Sequence, residues 1–186
     1  AFDLAKIAQA KIVVRRAGPE REFVTLDSNR RELQPDDLLI ADPEKPLAIA
    51  GIMGGLNSEV SESTDTILLE SACFEPIPIA RTSRRLGLRS EASYRFERAV
   101  DRAGQVAALC RVAALLRHNA GAREDGAVAD YEPCAAVPRV IALDLKRMEL
   151  LLGAPMPPAE VKRRLVALGA SVVRSQQSRN IYNVTA

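Results

Sequence analysis

The sequence predicts an α+β fold: a layered β-sheet and helix domain over residues 1–137, followed by a small α/β module of winged-helix-like type over residues 138–186. Three observations predict it. Short apolar and β-branched runs, separated by clusters of Gly, Pro, Asp and Asn, fill residues 11–72. From Pro76 onward helical spacing and helix stop signals take over. Strands therefore come first and helices later, which argues against an alternating βαβ sheet.

The strand candidates run in order as KIVVRR (11–16), EFVTL (22–26), LLIAD (38–42), LAIAGI (47–52) and TILLESA (66–72). Between them lie AGPERE, DSNRRELQPDD and PEKP, all rich in turn formers. Residues 76–86, PIPIARTSRRL, read as a helix with Gly87 just past its end. Residues 90–99 open on Ser90, a good N-cap. In the longest helix candidate, 101–118, Val106, Leu109, Ala113 and Leu116 share a stripe, and residues 119–121 supply the stop. Residues 121–138 read as a short strand and a Pro-bounded linker. Beyond them come a strand (PRVIALDL), a short helix closed by Gly153, and a second helix with Pro at its start. That helix carries Val161, Leu165 and Leu168 on one face and ends at Gly169; ASVVRS and IYNVTA then read as strands.

Composition narrows the function classes. Of 186 residues, 47% are hydrophobic and 27% charged, as in ordinary globular proteins. A net charge of +2 argues neither for nor against an RNA partner, and 4% aromatic residues with no Trp supply few stacking platforms. Cys73, Cys110 and Cys134 are far apart without CxxC spacing, so neither a zinc site nor a disulfide framework is expected. No apolar run approaches the ~18 residues of a membrane span and no signal peptide opens the chain, so the expected location is cytoplasmic, with reduced thiols. The opening AFDLAKI, without Met or lead-in, reads as part of a longer protein. A single histidine, His118, leaves no histidine cluster for a metal and no Ser/His/Asp triad unless His118 itself is the base.

Three segments invite a functional reading. In AIAGIMGGLNSEVSESTDTILLE, residues 48–70, Gly51, Gly54 and Gly55 match neither GxxxxGK[ST] nor GxGxxG, and the residues that follow are not helical. Without a helix N-terminus the loop lacks the aligned amides that hold phosphate. A sharp turn after a buried strand is the favoured reading, and close approach of a ligand to the backbone remains open. Glu70 ends the apolar run Ile67, Leu68, Leu69, where strand alternation would place it on the face of Leu68. It is either a polar strand end or a pocket carboxylate that accepts a ligand hydroxyl or amine. Finally, residues 80–98 hold Arg81, Arg84, Arg85, Arg89, Arg95 and Arg98 against Glu91 and Glu97, which is either a solvated helix face or a surface for a phosphodiester backbone.

Taken together, AFDLAKI, LAIAGIMGG, ILLESACFEP and RRLGLRSEASYRFERAVD resemble, in order and spacing, the central editing module of bacterial phenylalanine–tRNA ligase beta subunits. The resemblance covers residues 1–137. The tail, IALDLKRMELLLGAPMPPAEVKRRLVALGASVV, is similar to the start of the next module of that subunit, a DNA-binding-type unit.

The resemblance implies post-transfer editing: hydrolysis of Tyr mischarged onto the tRNA for phenylalanine. The physical motive is that an apolar pocket built for Phe discriminates against an added hydroxyl by only about 10²-fold. It implies that Glu70 accepts the phenolic hydroxyl, assisted by the backbone amide of Gly51, while Gly54, Ser90 and Ala92 line the pocket. Arg84, Arg85 and Arg89 are the candidate tRNA contacts. No protein nucleophile and no metal ligand are implied; a positioned water, helped by the terminal ribose hydroxyl, would attack the ester. ATP and Mg²⁺ would serve the full enzyme elsewhere, in an α2β2 heterotetramer with an alpha subunit. The family pattern carries His just before the AFD triplet; Tyr94 stands where many relatives have His, and Ala99 where many have Gly. The competing reading is a non-catalytic RNA-binding or subunit-packing module.

Overall fold

A computed structural model describes residues 1–125, 128–132, 139–176, 178 and 180–185. The chain divides into two units, Ala1–Ala127 and Val128–Ala186. The expected boundary at 137/138, the Pro-bounded linker around it and Cys134 lie outside the described residues.

In the first unit the strands are β1 (Phe2–Asp3), β2 (Val13–Arg16), β3 (Glu22–Val24), β4 (Arg30–Glu32), β5 (Leu38–Ala41), β6 (Pro46–Ile49), β7 (Met53–Gly54) and β8 (Ile67–Leu68). Four of them form an antiparallel sheet in the order β2-β5-β6-β7, with Leu39 opposite Ile49 and Ile49 opposite Met53. The central strands β5 and β6 are unbroken apolar runs because they are buried on both faces. The edge strand β2 alternates instead, with Val14 and Arg16 exposed. Two smaller antiparallel pairs, β1 with β8 and β3 with β4, complete the strands of this unit.

Three of these strands escape sequence reading. β1 and β7 have two residues each, too few for any period, and β4 lies inside a charged stretch that reads as a turn. β4 exists because β3 brings Phe23 into the core and needs a ladder partner, which Arg30–Glu32 supplies. The expected strand over residues 66–72 is in turn cut to Ile67–Leu68, since β1 offers only Phe2 and Asp3 to pair with. Glu70 is therefore outside the sheet, and strand alternation does not orient it. No strand forms among the described residues of 121–138.

The helices are α1 (Pro76–Leu86), α2 (Glu91–Phe96) and α3 (Gln105–Ala120). α1 starts with Pro at its first position and ends at Gly87, which takes φ 66° and donates its N–H to the carbonyls of Arg84 and Ser83. It buries Ile79, Thr82 and Ser83. Ser90 caps α2 as expected, in a reciprocal box with Ser93. α3 starts later than expected, at Gln105, and buries no residue: Leu109, Ala113 and Leu116 are half-covered and Val106 is 58% exposed. The core lies between the main sheet, α1 and the segment around Phe74, with Phe23, Leu39, Leu47, Ile49 and Ile79 among its members.

In the second unit β9 (Val140–Asp144), α4 (Leu145–Leu152), α5 (Pro158–Ala167), β10 (Ser171–Arg174) and β11 (Ile181–Thr185) follow the expected order. The sheet is antiparallel, β10-β11-β9. Leu145, Val161, Val172 and Tyr182 form its core, with Leu165 packed against it. Leu168 leaves the expected stripe and is 84% exposed, because α5 ends at Ala167 and the chain turns back through the bond from the Ala170 N–H to the Leu165 carbonyl.

Candidate functional site

β6 and β7 are joined by a tight turn at residues 50–52, with Gly51 at its apex in the left-handed region, φ +66°. A Cβ on Gly51 would lie 3.0 Å from the ring of Phe74 and 3.2 Å from that of Phe96. Those rings are themselves packed with centroids 5.0 Å apart and planes tilted by 50°. Glycine is thus required twice at this position, once by the backbone and once by the two rings. At Gly54 a Cβ would meet only the end of Leu26, at 3.1 Å, whereas at Gly55 it would fall 2.4 Å from the Phe23 ring and 2.8 Å from the Leu47 carbonyl oxygen. A single 3₁₀ turn, Leu56–Ser58, follows, so the phosphate-loop frame is absent from this segment.

α2 is pinned to this turn. The Ser90 hydroxyl donates to the Ile52 carbonyl at 2.6 Å and accepts from the Ser93 N–H at 3.0 Å. Ala92 is half-buried and stands one helical turn before Phe96, so both fall on the helix face that meets Gly51. The fold therefore brings Phe74 and Phe96 onto Gly51 and ties Ser90, at the start of the helix that carries Ala92, to the neighbouring Ile52. Sequence reading missed the two phenylalanines; the four-residue spacing of Ala92 and Phe96 on a capped helix is the signal that could have found one of them.

Glu70 lies two residues past β8. The register Phe2↔Leu68 sets Ala1 beside the Leu69 and Glu70 segment. Residue 70 is exposed, with enough protein on one side of its carboxyl for desolvation to act on it. Desolvation is the largest cause acting on it and pushes its pKa up to about 6. Among the described residues the carboxylate has no hydrogen bond or ion pair. No hydrogen bond ties it to Gly51, Gly54, Ser90 or Ala92; its tie to them is the chain, since Phe74, four residues on, packs on Gly51. Four residues span at most about 14 Å.

The three arginine candidates differ. Arg85 donates to the Glu32 carbonyl at 3.0 Å and pairs with Asp37, a buried carboxylate that also accepts from Thr82 Oγ1 at 2.7 Å and the Gln34 N–H at 2.8 Å. Arg84 and Arg89 are exposed and make no such bond among the described residues. Arg85 also lines an open concavity of about 400 Å³ with Arg30, Arg31, Glu32, Gln34 and Leu86. A second, of about 300 Å³, is bounded by Glu22, Phe23, Val24, Arg30, Pro46 and Asn57. Neither is lined by Glu70, Gly51, Gly54, Ser90 or Ala92.

Among the described residues no group of three or more His, Cys, Asp or Glu is placed to hold a metal ion. His118 is exposed in the last turn of α3. Among those residues no helix is long and apolar enough to cross a membrane.

Residues 1–121 match the B3/4 domain family. The chain is 46% identical over 172 residues to the phenylalanine–tRNA ligase beta subunit of Salinibacter ruber, covering 92% of this chain and 21% of that protein. It is 44% identical over 172 residues to that of Carboxydothermus hydrogenoformans, with 92% and 22% covered. Against that of Desulfotalea psychrophila it is 43% identical over 188 residues, with 100% and 23% covered. The chain thus spans about a fifth of the length of the curated relatives it matches. With residues 1–121, well over half of its length, matched, the chain belongs to the B3/4 domain family.

Proposed function

We propose that this chain is the editing part of a phenylalanine–tRNA ligase beta subunit and clears Tyr from mischarged tRNA for phenylalanine. The observation that carries this reading is Glu70: a partly desolvated carboxylate with no hydrogen-bond donor among the described residues, on the segment that leads into Phe74 and the Gly51 turn. With a pKa near 6 it is still mostly ionised at neutral pH, and desolvation strengthens any hydrogen bond it accepts. The phenolic hydroxyl of Tyr is such a donor; Phe offers none and would leave the carboxylate unsatisfied. A hydrogen bond to a charged acceptor is worth about 1.5 to 3 kcal/mol, which is a usable margin between the two amino acids.

In the reaction, water adds to the ester carbonyl, the bond to the ribose oxygen breaks, and that oxygen takes the proton. The products are free Tyr and uncharged tRNA. The chain's role is to hold the ring and exclude Phe, with the Gly51 N–H donating to the phenolic oxygen and the terminal ribose hydroxyl assisting the water. ATP and Mg²⁺ belong to aminoacylation with the alpha subunit of an α2β2 assembly, and the second unit is a winged-helix-like module of the same polypeptide. In the ligase carrying this chain, Glu70→Ala should slow release of Tyr from Tyr-tRNA at least tenfold while melting as the parent does. Unchanged Tyr release by a folded variant would overturn the role of Glu70.

A second reading, a subunit-packing module, is favoured by α3, which buries none of its residues and exposes Val106, Val112 and Leu115. Retained Tyr release with lost subunit association on Val112→Asp and Leu115→Asp would divide the two roles.

A further inference from the structure

Two polar groups near the glycine turn have no partner among the described residues: the Glu70 carboxylate and the Gly51 N–H. The N–H groups on either side of Gly51 are both engaged, that of Ala50 with the Leu38 carbonyl at 2.9 Å and that of Ile52 with the Ile49 carbonyl at 3.0 Å. The open donor is thus at the apex of a turn whose flanks are tied down.

The carboxylate has no such backbone frame. Residues 70–73 belong to no helix or strand and make no backbone hydrogen bond among the described residues. Side chains hold the segment instead: Ala72 packs against the main core, and Phe74, 8% exposed, is part of it. Phe96 links this anchor to the turn. It is the last residue of α2, a helix of six residues that Ser90 ties to Ile52. Its ring lies 5.0 Å, centroid to centroid, from that of Phe74 and would be 3.2 Å from a Cβ on Gly51. A tilted ring pair at this separation has a preferred geometry as well as an attraction. One ring therefore touches both the turn that carries the open N–H and the anchor of the segment that carries Glu70. A hydrogen bond tolerates an error of only roughly half an ångström, so the spacing of these two groups decides whether a single hydroxyl can use both.

We infer that Phe96 is a positioning residue for specificity: its ring, packed on Phe74 and on Gly51, sets the spacing of the Glu70 carboxylate and the Gly51 N–H so that one phenolic hydroxyl donates to the first and accepts from the second. The inference rests on the editing reading and gives Phe96 no contact with the substrate. Without the ring, the coil through residue 70 and the turn at residue 51 lose their common support, and the hold on the hydroxyl weakens. The ester, the water and the ribose hydroxyl are untouched. Tyr therefore suffers, and Phe, which has no hydroxyl to hold, does not.

The test is deacylation kinetics of the ligase carrying this chain, with tRNA for phenylalanine charged with Tyr or with Phe. Phe96→Leu should lower kcat/KM for the Tyr ester about tenfold and leave that for the Phe ester within about twofold. Phe96→Met fills most of the space with a flexible chain in place of a flat ring, and should shift the Tyr/Phe ratio the same way with a smaller change in Tm. Phe96→Tyr keeps the ring at a half-buried position, where its hydroxyl can reach water, and should keep the parental ratio. In a Glu70→Ala background Phe96→Leu should bring no further fall in the ratio, because it acts through that carboxylate. An unchanged ratio in folded Phe96→Leu or Phe96→Met, an equal fall for both esters, or a further fall on top of Glu70→Ala would each overturn the inference. A parent that releases Tyr no faster than Phe would overturn the editing reading itself and this inference with it, so the two failures are separately visible.

Discussion

The Ser90 hydroxyl and the Ile52 carbonyl, 38 positions apart in sequence, meet at 2.6 Å, and this bond sets the start of α2 against the Gly51 turn. The same oxygen caps the helix through the Ser93 N–H. Ser90→Ala removes both functions at once and should cost about 2 kcal/mol in urea unfolding, where a cap alone costs about 1.

Gly51 and Gly54 lie three residues apart but should respond differently to alanine. Gly51→Ala forces a side chain into the left-handed region and onto Phe74 and Phe96. A loss of about 2 to 3 kcal/mol is expected from strain and overpacking together. Gly54→Ala meets only the tip of Leu26, which can rotate, and should cost less than half as much. Thermal melts of the two variants compare them directly.

Ala99 holds φ 65°, a conformation that glycine adopts without Cβ strain. Ala99→Gly should therefore stabilise the chain, by up to about 1 kcal/mol after the entropy that glycine adds to the unfolded state. A lowered urea midpoint would contradict it.

Glu70 gives the stability a pH dependence of defined sign. Its carboxyl is raised from 4.5 to about 6 on folding, so the folded chain holds this proton more tightly than the unfolded chain does. The contribution is fully present below pH 4.5 and is lost as pH rises through about 6. Solvent reaches the open side of the residue, which keeps the amplitude small. Subtracting the Tm–pH curve of Glu70→Gln from that of the parent should leave a decline confined to this window.

Local chemistry accounts for most of what was legible. Gly87, Ser90, Gly121 and Gly153 mark helix ends in the sequence and do so in the structure, because capping depends on residues adjacent in the chain. The continuous runs of β5 and β6 likewise announced buried strands. Less legible were β1, β4 and β7, which exist through ladder bonds to distant partners and have no hydrophobic period of their own.

For the candidate site the division is similar. The sequence by itself determined the α+β order of elements, the glycine-rich turn and the presence of a carboxylate after an apolar run. Only the tertiary structure decided that Phe74 and Phe96 close on Gly51, that Arg85 is bound to Asp37 while Arg84 and Arg89 have no ion pair among the described residues, and that Glu70 lies past the end of its strand. Caps and periods are set by neighbours within a few residues, whereas partners, burial and shifted pKa values come from segments that meet only when the chain has folded.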